Sequence, residues 1–126
     1  DKETIYKTYF HGPSFQVLDG IVEAQRDSIL AVFRRPKVKL IGETDFKYYF
    51  HPLVIEALFQ TSGWRDLSID NKMTLPDSIE KVTVVNNKYD PERLFTYLFL
   101  KALTTMVKVF MMHGPLMNMG MYMLRY

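Results

Sequence analysis

No cysteine occurs among the 126 residues of this chain. Its absence excludes disulfide bonds, thiol nucleophiles and thiolate metal sites, but it does not fix the compartment, because secreted proteins can also lack cysteine. No charged leader followed by an apolar run begins the sequence, so no signal peptide is indicated and we predict a cytoplasmic protein. Histidine is scarce: His11, His51 and His113 are scattered without a carboxylate pattern, which predicts no metal site.

A strong charge of either sign is also lacking, since the formal net charge is only +2. Such a small and evenly spread charge argues against a nucleic-acid-binding surface. The longest basic cluster, RRPKVK at 34–39, is short and suits a solvated turn or contact with an acidic partner. The apolar stretch 94–126 contains no 18-residue span free of charge, so no membrane-spanning helix is predicted. The residues that interrupt it are Lys101, Lys108, His113 and Asn118.

The chain does contain enough apolar material for one core. Hydrophobic residues make up 48% and charged residues 24%, as in an ordinary soluble globular protein, and the length suits a single domain over 1–126. The patterns predict helices over 3–9 and 52–66, a hairpin within 15–35, and strands at 78–85, 94–101, 105–112 and 116–125. Strands segregated from one long apolar helix indicate the α+β class, with an antiparallel sheet covering the helix.

The segment FHPLVIEALFQTSGW, residues 50–64, places two polar side chains inside an apolar helix. A proline at position 52 suits the first turn, where its missing N–H costs nothing. Glu56 and Gln60 are four residues apart and therefore share one face, while the other faces are apolar, which is typical of a buried helix. Their neighbours on that face are Pro52, Leu53, Phe59 and Gly63.

A buried carboxyl at position 56 has a chemical consequence. Burial disfavours the charged form, so the pKa of Glu56 is expected to rise until the group stays protonated near neutrality. A protonated carboxyl in an apolar pocket is a candidate general acid for a leaving oxygen. Gln60, one turn later, is placed to hold that carboxyl or to bind a substrate hydroxyl. Alternatively, Glu56 points out through a gap in the packing, or pairs with Arg65 or with a lysine elsewhere.

Two motifs resemble a known family. HPLVIEALFQ, residues 51–60, resembles the segment of polyketide synthase dehydratase domains that reads His-Pro, three residues, an acidic residue, and a glutamine four further on. YFHGPSFQVLDGI, residues 9–21, resembles the aromatic–x–Gly-Pro–x–Phe-Gln–x–Leu stretch that precedes a hairpin in the same domains. The order and the separation of the motifs also agree. The resemblance covers about residues 5–85, and beyond them only the strand pattern continues it.

The resemblance implies a hot-dog fold, a curved antiparallel sheet wrapped around one long central helix. Family members remove water from a β-hydroxyacyl chain on an acyl carrier protein and give a trans-2-enoyl product. A histidine takes the α-proton, and an acidic residue on the helix protonates the departing hydroxyl. Glu56 and Gln60 occupy the acidic position and the position that assists it. The implied substrate-binding residues are His11, Gly12, Pro13, Phe15, His51, Pro52, Leu53 and Phe59.

The histidines have further interpretations. His11 lies in the Gly-Pro turn that lines the acyl tunnel in the family, whereas His51 precedes the helix and is placed to cap it. His113 lies in a predicted hairpin turn and is interpreted as structural. None of the three begins the His-x-x-x-Gly-x-x-x-x-Pro motif that carries the family's catalytic histidine. The chain is therefore interpreted as the second, C-terminal half of a double hot-dog, with glutamate at a position where the family usually has aspartate.

The last predicted strand carries methionine at every second position, which places four of them on one face. They are Met117, Met119, Met121 and Met123. Two interpretations stay open, core packing or a flexible wall of an acyl tunnel, because thioethers adapt to irregular shapes.

The resemblance also implies the partners. They are an acyl carrier protein, whose phosphopantetheine carries the substrate, and a second hot-dog half or a second copy of this chain. No other cofactor, no nucleic acid and no membrane is expected. Two other functions stay open: a non-catalytic acyl-binding or dimerisation hot-dog, and a thioesterase or isomerase on the same fold.

Overall fold

Two helices, one short 3₁₀ turn and six strands follow one another along the parts of the chain that the structure describes. The computed structural model describes residues 1–37, 51–76, 78–83, 93–101, 104–113 and 116–125. The elements are α1 (Lys2–Thr8), the 3₁₀ turn (Pro13–Phe15), β1 (Leu18–Ala24), β2 (Ser28–Arg34), α2 (Pro52–Asp70), β3 (Ser78–Thr83), β4 (Arg93–Lys101), β5 (Thr104–His113) and β6 (Leu116–Arg125). Each lies within a few residues of its predicted position.

The six strands form one sheet in the order β1-β2-β4-β5-β6-β3, and every neighbouring pair is antiparallel. The predicted α+β class is thus confirmed, and the architecture is compatible with a hot-dog fold. β6 pairs with β5 without a register shift, so the alternating methionine positions belong to one unbroken strand. The contacts of that methionine face, the His113 side chain and the end of the basic cluster 34–39 lie outside the described residues.

The hydrophobic core lies between α2 and the β1, β2 and β4 strands. Its helix side is provided by Val54, Ala57 and Leu58, and its sheet side by Phe33, Leu94 and Leu98. Burial of each valine, leucine or phenylalanine side chain among them stabilises the fold by roughly 1.5–3 kcal/mol. A hydrogen bond between two polar side chains also crosses the core, where the Thr61 and Thr96 hydroxyl oxygens are 2.8 Å apart. Among the described helices, none is long and apolar enough to cross a bilayer.

Both ends of α2 follow from local chemistry. Pro52 stands in its first turn, as predicted, and the chain leaves the helix at Asn71, whose φ of 52° is left-handed and well tolerated by asparagine. The helix extends four residues beyond the predicted end at 66. Arg65 forms ion pairs with Asp66 and Asp70 in these last turns of the helix. In the sequence alone, such a polar segment looks the same as a loop, so the end of the helix was predicted too early.

Candidate active site

Glu56, in the second turn of α2, lies beside His11 from the loop that follows α1. The Glu56 Oε1 atom is 3.1 Å from Nε2 of His11. The two side chains are 24% and 18% exposed, so the carboxyl is partly buried and is not the fully dry group that the sequence predicted. His11 Nδ1 is buried and has no hydrogen-bond partner among the described residues. Glu56 thus engages one imidazole nitrogen of His11, while no described residue bonds the other.

The alternative pairing of Glu56 with Arg65 does not occur. The Arg65 guanidinium donates to the Asp66 and Asp70 carboxylates and to the backbone carbonyl of Arg26 in the β1–β2 turn. This side chain is buried, and its bonds tie the C-terminal end of α2 to the hairpin. Arg65 therefore anchors the helix and leaves Glu56 to its contact with His11.

The Gln60 amide lies one turn beyond Glu56 and is 3% exposed. Its Nε2 donates to Glu56 Oε1 over 2.8 Å and to the backbone carbonyl of Phe15 over 2.7 Å. Glu56 Oε1 thus faces two nitrogen atoms, one from Gln60 and one from His11.

Two tyrosines of the N-terminal segment hold Gln60, and sequence reasoning missed both. The Tyr6 hydroxyl donates to Gln60 Oε1 over 2.6 Å and accepts from the Leu18 backbone N–H over 2.7 Å. Burial raises the pKa of the Tyr6 phenol above its ordinary value, and the nearby Glu56 charge adds to the increase. Tyr9 donates to the Gln60 backbone carbonyl over 2.8 Å. The three-residue spacing of the tyrosines was the available signal, since it places them on one helix face.

A pocket of about 190 Å³ opens next to the Glu56–His11 pair. This volume exceeds the roughly 150 Å³ of an engineered cavity that binds benzene, so the pocket has room for a small organic group. Its lining residues come from the loop after α1, from α2, and from the segment after α2: Tyr9, Phe10, His11, Glu56, Phe59, Gln60, Gly63, Met73, Thr74, Leu75 and Pro76.

The rim of this pocket is apolar and faces solvent. Phe10 is 78% exposed and stacks on the His11 ring, with 4.8 Å between centroids and 13° between planes. Met73 and Leu75, on the other wall, are also exposed. Thr74 between them donates to the Asp66 carboxylate over 2.8 Å, which fixes this wall to the helix that precedes it.

The deep side of the pocket depends on a close approach between Gly63 and Tyr9. A Cβ atom added at Gly63 would lie 2.8 Å from the Tyr9 phenol oxygen, which is closer than real Cβ contacts. The Tyr9 ring is itself held edge-on against Trp64 and His11. Only glycine therefore lets α2 approach this phenol so closely.

The predicted residues of the Gly-Pro turn lie at different distances from the pocket. His11 lines it, whereas Gly12 and Pro13 are exposed and are not among its lining residues. The Phe15 ring is also exposed and outside the lining, although its backbone carbonyl accepts from Gln60.

Of the predicted substrate-binding residues at 51–59, only Phe59 lines the pocket. His51 caps the helix, because its Nδ1 accepts the Leu53 backbone N–H over 3.2 Å. The Leu53 side chain is buried in the core, and Pro52 is half-buried outside the pocket lining. No group of three potential metal ligands occurs within the described parts of the chain.

The comparison with protein families finds a match over most of the chain. The model of the polyketide synthase dehydratase N-terminal domain matches residues 4–101, more than three quarters of the chain. The chain belongs to the polyketide synthase dehydratase family. This membership supports a dehydratase role in polyketide synthesis, with hydro-lyase activity. A comparison with curated proteins finds no match.

The matched residues of this dehydratase domain include both motifs, α1 from its third residue onward, α2 and every residue of the pocket. The matching family model describes the N-terminal domain, so the predicted assignment to the C-terminal half is not confirmed.

Proposed function

We propose that this domain dehydrates a β-hydroxyacyl thioester, carried on the phosphopantetheine of an acyl carrier protein, to a trans-2-enoyl thioester. Glu56 is the general acid. The observation that carries the proposal is the 3.1 Å contact of Glu56 with His11 at the edge of a pocket with an apolar rim. A carboxyl and an imidazole within reach of one substrate are the two groups that the elimination of water requires.

The reaction moves two protons in opposite directions. His11 accepts the proton from Cα, and the electron pair of that C–H bond forms the Cα=Cβ double bond. The Cβ–O bond breaks, and Glu56 gives its proton to the departing oxygen, which leaves as water. His11 then returns its proton to Glu56 across their contact, so both groups regain their starting states.

Gln60 assists Glu56 in this scheme. As Glu56 loses its proton, negative charge develops on the carboxylate, and the Gln60 N–H that bonds Oε1 stabilises that charge. The exposed rings and thioether of the pocket rim suit the acyl chain and the pantetheine arm. Phe10 and Phe59 would contact the acyl group, and the thioester would enter from the solvent side.

The proposal also covers the surroundings of the domain. We propose that the sheet curves around α2 as a central helix and that the open sheet edge pairs with a second hot-dog half or a second copy. Assignment to the C-terminal half, a cytoplasmic location, and the lack of any cofactor beyond phosphopantetheine stay predictions.

The test is a turnover assay with a short β-hydroxyacyl pantetheine thioester, on the chain alone and together with a partner hot-dog half. The wild-type chain is expected to form the enoyl product. Glu56→Gln should lower the rate at least a hundredfold, because general acid catalysis contributes about 10²–10⁴. Glu3→Gln is the matched control, since Glu3 is exposed and pairs only with Lys7 on α1 among the described residues.

Each other outcome selects an alternative. Turnover that survives Glu56→Gln would remove Glu56 as the acid. Release of free thiol without enoyl product would favour a thioesterase, and binding of the thioester without any turnover would favour the acyl-binding scaffold.

A further inference from the structure

The two hydrogen-bond partners of the Tyr6 hydroxyl, Leu18 and Gln60, determine where its proton points. A phenol carries one proton, and the backbone N–H of Leu18 already donates to the Tyr6 oxygen over 2.7 Å. The single Tyr6 proton is therefore directed at its other partner, Gln60 Oε1, 2.6 Å away. Burial favours the neutral phenol, so this donor persists across the physiological pH range.

This assignment fixes the Gln60 amide. Its oxygen accepts from Tyr6, and its nitrogen faces the Phe15 carbonyl and Glu56 Oε1. If the Gln60 amide were flipped, its oxygen would face two acceptors, the Phe15 carbonyl and Glu56 Oε1. Its N–H group would face the hydroxyl proton of Tyr6, so neither end of the amide would form a hydrogen bond. Phe15 acts through its backbone, so Tyr6 is the side chain through which the orientation can be changed.

We propose that Tyr6 is a positioning residue for the dehydration. By holding Gln60 Oε1, it keeps the amide N–H directed at Glu56 Oε1, where negative charge develops as the acid loses its proton. Tyr6 is not among the residues that line the pocket. Its influence on the reaction therefore passes through Gln60, and the inference rests on the proposed function of Glu56.

The kinetic test is a double-mutant cycle between Tyr6→Phe and Gln60→Ala. Tyr6→Phe should lower kcat roughly tenfold, the size expected for one misdirected hydrogen bond, and leave KM within about twofold. In the Gln60→Ala background the same substitution should have no further effect on kcat. A purely structural role would instead give equal effects in both backgrounds.

Thr61→Val is the matched control because it also removes a buried hydroxyl from this region. Thr61 follows Gln60 on α2, bonds Thr96 and the Ala57 carbonyl, and does not line the pocket. This variant is expected to lose thermal stability and to keep the wild-type kcat.

A second measurement does not depend on turnover. In NMR spectra of the wild-type chain, the Gln60 side-chain amide protons should show nuclear Overhauser contacts to the Glu56 side chain, and Tyr6→Phe should weaken them. If the wild-type chain shows these contacts but has no dehydratase activity, the proposed function is refuted and the proposed orientation of the Gln60 amide still holds. Contacts of the wild-type Gln60 amide to the Tyr6 ring in place of Glu56 would overturn the inference, and this observation does not depend on whether Tyr6→Phe folds. A Tyr6→Phe effect on kcat that persists in the Gln60→Ala background would also overturn it.

Discussion

Gly63→Ala tests the close approach that forms the deep side of the pocket. The added Cβ would lie 2.8 Å from the Tyr9 phenol oxygen, and the packed Tyr9 ring has little room to move. Overpacking costs about 1–3 kcal/mol, and displacing the phenol from the Gln60 carbonyl costs about 1 kcal/mol more. Alanine gains about 1 kcal/mol of helix propensity over glycine. The net expectation is a loss of about 1–3 kcal/mol in the free energy of unfolding.

The Tyr9→Phe background reverses the sign of this effect. Without the phenol oxygen, the nearest atoms to the new Cβ are the Thr74 carbonyl at 3.6 Å and Tyr9 Cζ at 3.8 Å, which are ordinary contacts. Gly63→Ala should then stabilise the chain by up to about 1 kcal/mol, its helix-propensity gain. Urea titrations of the four proteins measure both values. A stabilising Gly63→Ala in the wild type would refute the claim that Tyr9 requires glycine at this position.

Two other predictions concern stability. Because burial raises the pKa of Tyr6 in the folded chain, the unfolded chain loses the Tyr6 proton first as the pH rises above the ordinary tyrosine pKa near 10. The free energy of unfolding should therefore fall by up to about 1.4 kcal/mol per pH unit, and urea titrations at several alkaline pH values measure this slope. An identical slope in Tyr6→Phe would contradict the assignment. Arg65→Met should cost roughly 1–3 kcal/mol in a urea titration, because it removes the bonds of a buried guanidinium to the partly buried Asp66 carboxylate and to the Arg26 backbone carbonyl. Arg34→Met, which removes a more exposed pair with Asp19, should cost at most about 1 kcal/mol, and equal losses would refute the anchoring role of Arg65.

Most of the elements could be predicted from the sequence, because each depends on a short repeating pattern. The proline of α2, the apolar run after it and the β-branched and aromatic strands are local signals. The shared face of Glu56 and Gln60 also followed from their four-residue spacing. The end of α2 was placed too early, since the ion pairs of Arg65 depend on side chains that meet only in the folded helix.

The contacts that build the site could not be predicted in the same way. His11 meets Glu56 only because the loop after α1 passes over α2, and no local pattern encodes that approach. The bonds of Tyr6 and Tyr9 to Gln60 are likewise long-range. His51 shows the converse, because it is the first residue of the 51–60 motif, yet it caps the helix and does not line the pocket.

The left-handed residue Asn71 sends the chain back beside the helix that it has just left, and Met73 to Pro76 form one wall of the pocket. The position of that wall is therefore set by the length of the helix. Each residue of an α-helix turns the chain by about 100° and advances it by about 1.5 Å. Inserting or deleting a single residue between Gly63 and Asn71 would carry the wall to another side of the helix. The tolerance of this protein to changes of length should thus be lowest in a segment that contains no reacting group.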